Sequence, residues 1–338
     1  MEAMQNPFRI TNGFAVEDPK LLPSVDVSQP NSLLLRCPLA KVTPLKVLRE
    51  FGGVGEVYVK DERARMGVGS FKALGAAYVI AHAAQKVDQR GITYVTASAG
   101  NHGISVAAGA QVFGAQSVIF LSHQVPKSFA GRLEKYGAKV IFSGDDYSQS
   151  LEAAETAAKE NRWTLLSDTS WDGYLEKPRR LMEGYLVAAA EAANQIPKSP
   201  THILLQAGVG GLACAAAAYF RQVWGDDPEI IIVEPDAAAA LFKSIANGKL
   251  VTADGPVSNM GRLDCKTPSL IALNGLARDA DTFLLISDME VEAALPALKE
   301  QDLETSPSGG APMAALYHGI EGIAPQSRVL CFVSEQVA

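Results

Sequence analysis

The feature that most constrains the fold of this chain is an alternation of short apolar segments with longer alanine-rich segments. The apolar segments are rich in β-branched residues, which favours strands, and the alanine-rich segments have the spacing of amphipathic helices. Continuous apolar strands separated by helices are typical of a mainly parallel sheet covered on both faces. The sequence therefore predicts an α/β fold, with strands at 56–60, 92–97, 117–121, 139–142, 164–167, 202–206, 230–234, 282–286 and 329–333.

Helices are predicted between these strands. With 338 residues, the chain is long enough for two domains or one large α/β unit. The residues before 45 have no clear period, so we expect an irregular arm there with one or two edge strands. The predicted helices are 71–86, 102–113, 127–136, 147–161, 174–193, 212–223, 236–247, 290–301 and 311–323.

Composition excludes several classes of function. The formal net charge is −7 and no block of Lys or Arg occurs, which argues against nucleic acid or an anionic membrane as the main partner. The longest uncharged apolar run, 207–220, is too short to span a bilayer, and the amino terminus lacks the pattern of a secretory signal. The chain has four cysteines that are far apart in sequence: Cys37, Cys214, Cys265 and Cys331. We therefore expect reduced thiols, a cytoplasmic protein and no metal site.

The first candidate motif is SFKALG at 70–75, which places Lys72 in the first turn of a predicted helix. The positive end of the helix dipole disfavours an ammonium there, so we expect a lowered pKa that suits a nucleophilic amine. An ordinary exposed lysine is the alternative.

The second motif is SAGNHG at 98–103, between a predicted strand and a predicted helix. Small residues at such a turn let the backbone approach a ligand closely, and Asn101 adds donors and acceptors at the carboxyl end of a strand. The alternative is a tight turn in which Asn101 caps the helix. His102 is interpreted as a packing or hydrogen-bonding residue, although it could also act as a base.

The third motif is GVGGL at 208–212, which follows a predicted strand and opens a helix. Consecutive backbone N–H groups at a helix start form a binding site for a phosphate. The spacing differs from the GxGxxG of a dinucleotide site, but Glu234 ends the next strand, where a ribose-binding acid would lie. Close packing of helix against strand is a further alternative.

Two more positions follow predicted strands. Asp168 begins DTSWDGY, where it could act as a general acid or base with Trp171 and Tyr174 excluding water. Capping of a turn by Asp168 is the alternative. Ser334 places a hydroxyl after the last strand.

The order of these motifs along the chain resembles that of the fold type II pyridoxal-phosphate enzymes, the tryptophan synthase β-like family, which includes serine and threonine dehydratases. The resemblance covers about residues 40–335 and begins at Thr43-Pro44-Leu45. Within the family the chain is most similar to the diaminopropionate ammonia-lyases, through KDERARMGVGSFKALGAAY, GNHG, DTSWDGY and VLCFVSE.

The resemblance implies two three-layer α/β domains with mainly parallel sheets and pyridoxal 5'-phosphate in the cleft between them. The large domain would comprise 1–90 and 168–338, and a small substrate-closing domain 91–167. Lys72 would bind the cofactor covalently, Asn101 would contact its phenolic oxygen and Ser334 its pyridine nitrogen. Phe71 would flank the ring. The phosphate would be bound by Gly208, Val209, Gly210, Gly211 and Leu212, and the substrate carboxylate by Ser98, Ala99, Gly100, Asn101 and His102.

The implied reaction is β-elimination on a β-substituted amino acid, giving a 2-oxo acid and ammonia. Lys72 would remove the Cα proton, and Asp168 or another acid would protonate the leaving group. Two departures from the family bear on the substrate: Ala99 replaces an Asp of the diaminopropionate ammonia-lyases, and Ser306 replaces the Glu of the dehydratase E-P-S-G segment. Since fewer carboxylates weaken binding of a second ammonium, a β-hydroxy amino acid of the serine, threonine or aryl-serine type is an alternative substrate.

Two other functions stay open at this stage. An NAD-dependent oxidoreductase would use GVGGL for pyrophosphate but would leave Lys72 and GNHG without a role. A non-catalytic member of the fold would bind a small ligand as a regulator. The expected partners are a small amino-acid substrate and a second copy in a homodimer, without nucleic acid or membrane.

Overall fold

The computed structural model describes residues 1–337 and shows an α/β fold. The strands are β1 (Glu2–Gln5), β2 (Leu45–Leu48), β3 (Glu56–Asp61), β4 (Thr93–Ala97), β5 (Gln116–Leu121), β6 (Lys139–Phe142), β7 (Thr164–Leu165), β8 (His202–Gln206), β9 (Glu229–Pro235), β10 (Thr282–Ile286) and β11 (Arg328–Val333). The helices are α1 (Ser28–Leu34), α2 (Lys72–Ala84), α3 (Asn101–Val112), α4 (Lys127–Glu134), α5 (Tyr147–Asn161), α6 (Glu176–Gln195), α7 (Gly211–Trp224), α8 (Ala240–Asn247), α9 (Leu270–Asp279), α10 (Asp288–Glu300) and α11 (Pro307–His318).

The strands form two sheets. The larger has seven strands in the order β1-β10-β9-β8-β11-β3-β2, and the smaller has four in the order β6-β5-β4-β7. All pairings are parallel except at the two edges of the larger sheet, where β1 is antiparallel to β10 and β2 to β3. The predicted α/β fold with mainly parallel sheets is therefore confirmed.

The larger sheet is buried on both faces because its strands are apolar at nearly every position. On β8, Ile203 and Leu205 pack into one hydrophobic cluster while Leu204 packs into the other. On β9, Ile230 and Ile232 pack into the first of these clusters and Ile231 packs into the second. Successive side chains of a strand point to opposite faces, so a continuous apolar strand requires helices on both sides.

The structure differs from the sequence-based assignment in two helices. Neither α1 nor α9 was predicted, although the predicted edge strands of the arm are present as β1 and β2. In α9 the residues Asn274 and Gly275 interrupt the helical pattern. Gly275 is needed there for packing, because a Cβ at this position would overlap the Cys214 sulfur and Pro23.

The ends of the strands determine where the motifs lie. The segments that follow β4, β8 and β11 carry Asn101, the glycine run and Ser334, and α2 begins with Lys72. Parallel sheets bind ligands at the carboxyl ends of their strands, so these segments form the candidate functional site. Within residues 1–337, no helix combines the length and apolar character needed to cross a bilayer.

Candidate active site

Lys72 and Asp168 form the central contact of the site. Lys72 is the first residue of α2, and its Nζ lies 2.5 Å from Oδ2 of Asp168, which follows β7 of the smaller sheet. Both side chains are largely buried, with 18% and 17% exposure. The ion pair therefore joins the segment after the smaller sheet to helix α2, which packs against α3 and α6.

The electrostatics of this pair correct one expectation. Burial lowers the pKa of Lys72, but the charge of Asp168 and its hydrogen bond outweigh burial, so the pKa is raised above its ordinary value. Burial likewise raises the pKa of Asp168, but Lys72 and His102 outweigh it and the pKa is lowered. The lowered pKa predicted for Lys72 from its helix position is wrong for this state, because a carboxylate 2.5 Å away is a stronger influence than the helix dipole.

Two aromatic rings enclose the amine of Lys72. Its Nζ lies 5.2 Å from the ring centroid of Phe71 and 5.7 Å from that of Tyr185 on α6. The two rings meet edge to face at 5.0 Å. The Tyr185 hydroxyl is buried and has no hydrogen-bond partner among residues 1–337, and burial raises its pKa to about 12.

The glycine run lies between β8 and α7. Gly210 has a φ of +93°, which favours glycine, and α7 starts at Gly211 without a side-chain cap. A Cβ on Gly208 would lie 3.0 Å from the Leu263 Cα and 3.1 Å from the Cys265 sulfur. Gly208 and Gly210 therefore allow close packing, and the start of α7 has no side-chain cap on its first N–H groups. Phosphate binding by this segment stays a prediction.

The start of α7 also faces the lysine. A Cβ on Gly211 would lie 3.7 Å from the Tyr185 ring and 4.0 Å from the Asp168 carbonyl oxygen. The N–H groups of the first helical turn, the Tyr185 hydroxyl and the Lys72 amine are therefore in one region of the molecule.

The SAGNHG segment connects β4 to α3. Ser98 accepts a hydrogen bond from the Gly100 N–H at 3.2 Å, and Ala99 is exposed. Asn101 is buried, and its side-chain amide donates to the carboxylate of Glu335. The Nε2 of His102 lies 2.7 Å from the Leu166 carbonyl oxygen, while its Nδ1 is buried without a partner in the described part of the chain.

Glu335 is a residue of this site that sequence reasoning missed. It is 3% exposed, and its carboxylate accepts hydrogen bonds from Asn101 and from the Ser306 hydroxyl, with Arg262 Nε 3.2 Å away. The Ser306 hydroxyl thus lies beside a carboxylate that another residue, Glu335, supplies, and the effect of Ser306 on substrate binding stays a prediction. An acid directly after the last apolar strand was the available sequence signal.

Other residues enter the site from loops. Ser334 is buried after β11, and its carbonyl oxygen accepts the Phe71 N–H at 3.2 Å. Cys265 packs against Gly208, and burial raises the pKa of its thiol to about 12. Across residues 1–337, no group of three or more His, Cys, Asp or Glu side chains is placed to hold a metal ion.

These groups suit an anionic aldehyde cofactor. An uncapped helix start binds a phosphate, a buried amine in an aromatic enclosure can bond to a carbonyl carbon, and the unpartnered Tyr185 hydroxyl can bind an added oxygen. Residues 37–335 match the protein family described as pyridoxal-phosphate dependent enzyme. The chain belongs to this family.

Relatives within the pyridoxal-phosphate dependent enzymes agree with the resemblance predicted from the motifs, which is confirmed. Diaminopropionate ammonia-lyase of Escherichia coli strain K12 is 31% identical over 271 residues, 73% of this chain and 68% of the relative. A rat protein named serine dehydratase-like is 28% identical and covers 84% of each chain. A crystal structure of the Escherichia coli ammonia-lyase with an aminoacrylate-PLP azomethine reaction intermediate has a TM-score of 0.88, with 26% identity and coverage of 99% of this chain and 93% of that one.

Membership of this family makes pyridoxal phosphate the cofactor of the chain, as predicted. The structure brings Lys72, Phe71, Asp168 and the start of α7 together around one amine. Asn101 is hydrogen-bonded to Glu335, and the charge of Lys72 lowers the pKa of Glu335 against the larger, raising effect of burial. The Nε2 of His102 is bound to the Leu166 carbonyl oxygen, while its Nδ1 has no partner among residues 1–337.

Proposed function

We propose that this pyridoxal-phosphate dependent lyase eliminates the β-substituent of an amino acid and yields a 2-oxo acid and ammonia. The observation that carries the proposal is the buried contact of 2.5 Å between Lys72 Nζ and Asp168 Oδ2. β-Elimination requires a base at Cα and an acid at the leaving group, and these two side chains can exchange a proton directly. Relatives named as diaminopropionate ammonia-lyases support the same class of reaction.

The cofactor contacts proposed here follow the residues in the site. Lys72 would hold the cofactor carbon covalently, with Phe71 beside the ring. The N–H groups of 208–212 at the start of α7 would bind the phosphate. Asn101 would bind the phenolic oxygen and Ser334 the pyridine nitrogen. Bound pyridoxal phosphate supplies an electron-withdrawing ring that makes the Cα proton of an amino acid acidic.

Lys72 acts as the base at Cα. Once its nitrogen is released from the cofactor as a neutral amine, it can accept the Cα proton. The rings of Phe71 and Tyr185 exclude water from this amine, so the proton is not exchanged rapidly with solvent.

Asp168 then becomes an acid because of the same contact. With Lys72 protonated, the pKa of Asp168 is lowered despite burial. When Lys72 is neutral, its charge no longer opposes burial and the pKa of Asp168 rises. Asp168 can therefore hold the proton that Lys72 gives up on becoming neutral. When Lys72 takes the Cα proton, its charge lowers the pKa of Asp168 again, and the Asp168 proton goes to the leaving group.

The reaction balances with water as the only further reactant. The Cα–H and Cβ–X bonds break, HX leaves with the transferred proton, and the electron pair forms the Cα=Cβ double bond. The released unsaturated amino acid takes up water and gives a 2-oxo acid and ammonia.

The leading substrate is a 2,3-diamino acid such as 2,3-diaminopropionate. Its second ammonium favours a pocket with an acidic group, and Asp168 is an acid beside Lys72. A β-hydroxy amino acid is the second candidate, supported by Ala99, which adds no carboxylate to the substrate loop.

A substrate panel tests both candidates. Both enantiomers of 2,3-diaminopropionate, serine and threonine are supplied to the holoenzyme, and 2-oxo acid and ammonia are measured. We expect equal amounts of 2-oxo acid and ammonia from serine or threonine, and two ammonia per 2-oxo acid from diaminopropionate. A Lys72→Ala variant is the blank. No product from any member of the panel would contradict the proposal.

The proposed organisation has three parts. Residues 91–167, which contain all four strands of the smaller sheet, would form a small domain that closes on the substrate. A homodimer would be the working unit. The cytoplasm is the proposed location, supported by four free cysteines within the described residues, Cys37, Cys214, Cys265 and Cys331.

A further inference from the structure

The backbone of Glu335 is fixed on both sides. Glu335 follows β11 and forms an antiparallel bridge with Ser70, two residues before Lys72. The next residue, Gln336, donates its N–H to the Gly69 carbonyl oxygen at 3.0 Å. The Thr305 hydroxyl donates to the carbonyl oxygen of Glu335. This side chain therefore starts from a backbone position that is tied to the segment carrying the lysine.

The carboxylate of Glu335 is surrounded by donors. Its two oxygens accept from different groups, Oε2 from the Asn101 amide and Oε1 from the Ser306 hydroxyl. Arg262 Nε lies 3.2 Å from Oε1 as an ion pair. The space beside it is full, since a Cβ on Gly309 would lie 2.9 Å from Glu335 Cγ.

A carboxamide can be placed in two orientations that fill the same space, because its oxygen and nitrogen are nearly equal in size. Burial raises the pKa of Glu335, and the ion pair with Arg262 and the Ser306 hydrogen bond oppose burial and favour the ionised form. Only the orientation with nitrogen toward Glu335 then gives Asn101 a hydrogen bond there, because an ionised carboxylate accepts and cannot donate. The reverse orientation would set the amide oxygen against a buried carboxylate, which is repulsive.

We propose that Glu335 is a positioning residue that fixes the side-chain orientation of Asn101, so that an N–H of this amide faces the phenolic oxygen of pyridoxal phosphate. An amide nitrogen has two N–H bonds, and the bond to Glu335 uses one of them. The second remains for the cofactor. This inference deepens the proposed function but depends only on its cofactor, not on the choice of substrate.

The variant Glu335→Gln tests the orientation. Glutamine keeps the size of the side chain but can meet either end of the Asn101 amide, so the preference for one orientation is lost. We expect the cofactor-free full chain to bind pyridoxal phosphate about tenfold more weakly, the effect of one lost hydrogen bond to a charged group. The bound cofactor should show the same shift of its absorbance maximum as in Asn101→Ala.

A double-mutant cycle separates this role from a general structural one. If Glu335 acts through Asn101, Glu335→Gln should add less than about twofold to the loss already caused by Asn101→Ala. Independent effects would multiply to about a hundredfold, and that result would overturn the proposal. The more conservative Glu335→Asp, which withdraws the carboxylate by one methylene, should depend on Asn101 in the same way.

The matched control is Glu234→Gln, the same substitution at another buried carboxylate. Glu234 accepts the N–H groups of Leu241 and Phe242 at the start of α8. We expect its replacement to lower Tm without changing cofactor affinity, and an equal loss of affinity would overturn the proposal. Because affinity and absorbance are measured without substrate, a negative substrate panel would contradict the proposed reaction and leave this inference standing.

Discussion

Two buried groups of charged side chains border the same helix, α6, and they differ in how completely they are hydrogen-bonded. The first, here called the Arg65 cluster, consists of Thr43, Lys60, Glu62, Arg65 and Glu191. The second is the Lys72–Asp168 pair, enclosed by Tyr185 of α6. Both exclude most solvent, so burial alone does not tell them apart.

In the Arg65 cluster the side-chain donors of Arg65 and Lys60 have hydrogen-bond acceptors. Arg65 donates to both oxygens of Glu62 at 2.7 Å, and to Glu191, Thr43 and the Lys41 carbonyl oxygen. Lys60 has three N–H bonds, and its three acceptors are Glu191, the Thr43 carbonyl oxygen and Gln195. A network satisfied in this way leaves nothing for a ligand to bind.

The Lys72–Asp168 pair is incompletely satisfied. Lys72 makes one hydrogen bond from Nζ, and the nearby Tyr185 hydroxyl and His102 Nδ1 have none within residues 1–337. Unpaired buried polar groups cost stability, so their presence around one amine indicates groups that a ligand completes. The contrast teaches that incomplete hydrogen bonding, more than burial, marks the functional cluster.

The largest expected effect is on turnover in Lys72→Ala. Loss of both the covalent attachment and the base should lower kcat by at least about 10⁴-fold, while the fold is kept. Steady-state release of 2-oxo acid measures the loss, and Lys86→Ala, at an exposed lysine after the same helix, is the control. Residual turnover within tenfold of the wild type would show that Lys72 is not the base.

The next effect is on folding and belongs to the Arg65 cluster. Arg65→Met leaves Glu62 and Glu191 buried without their main partner, which should lower the free energy of unfolding by about 3–5 kcal/mol. Urea unfolding measures this difference. Arg90→Met, which removes an exposed pair with Asp88, should cost under about 1 kcal/mol. Equal losses of stability in the two variants would show that the buried Arg65 cluster contributes no more to folding than an exposed ion pair.

The third prediction concerns Asp168→Asn. Without an acid for the leaving group, kcat should fall about 100-fold, while KM changes little because the interaction develops in the transition state. Turnover of 2,3-diaminopropionate and serine by both proteins gives the two constants. An unchanged kcat on both substrates would mean that another group protonates the leaving group.

Sequence patterns could locate part of this site and not the rest. The positions of Lys72, Asn101 and the glycine run were predictable because each lies at the start of a helix, a local pattern that a single segment displays. The roles of Glu335 and Tyr185 were not predictable from a single segment. Glu335 contacts Asn101, 234 positions away, and Tyr185 contacts Lys72, 113 positions away. The raised pKa of Lys72 was missed for the same reason: burial lowers this pKa, and the carboxylate that outweighs burial belongs to Asp168, which is 96 positions distant.

The same limit applies to the fold. The strands of both sheets were visible as continuous apolar runs, because they are buried on both faces. Helix α9 was hidden by Asn274 and Gly275, which weaken a helix taken alone. Its stability comes instead from packing against α7, where Gly275 allows the close approach to Cys214.

The smallest expected effect is in His102→Gln, where the free energy of unfolding should depend less steeply on pH. This variant tests whether the unpaired Nδ1 of His102 belongs to a neutral ring. Burial lowers the pKa of His102, and the charge of Lys72 lowers it further, while Asp168 and the Leu166 carbonyl oxygen act in the opposite direction. Below the ordinary histidine pKa of about 6.5 the unfolded chain binds a proton that the folded chain does not. Stability should therefore fall as pH decreases from about 6.5.

His82 and His202 also have lowered pKa values through burial and add to the same slope, so the comparison must be made between variants. Glutamine retains an N–H for the Leu166 carbonyl oxygen but cannot take up a proton. We expect urea unfolding of the cofactor-free His102→Gln protein between pH 5 and 7.5 to show a slope smaller by at most about 1.4 kcal/mol per pH unit. His123→Gln changes an exposed histidine and is the control. A slope equal to that of the wild type would mean that His102 has the same pKa in the folded and the unfolded chain, which would contradict a buried, neutral ring with an unpaired Nδ1.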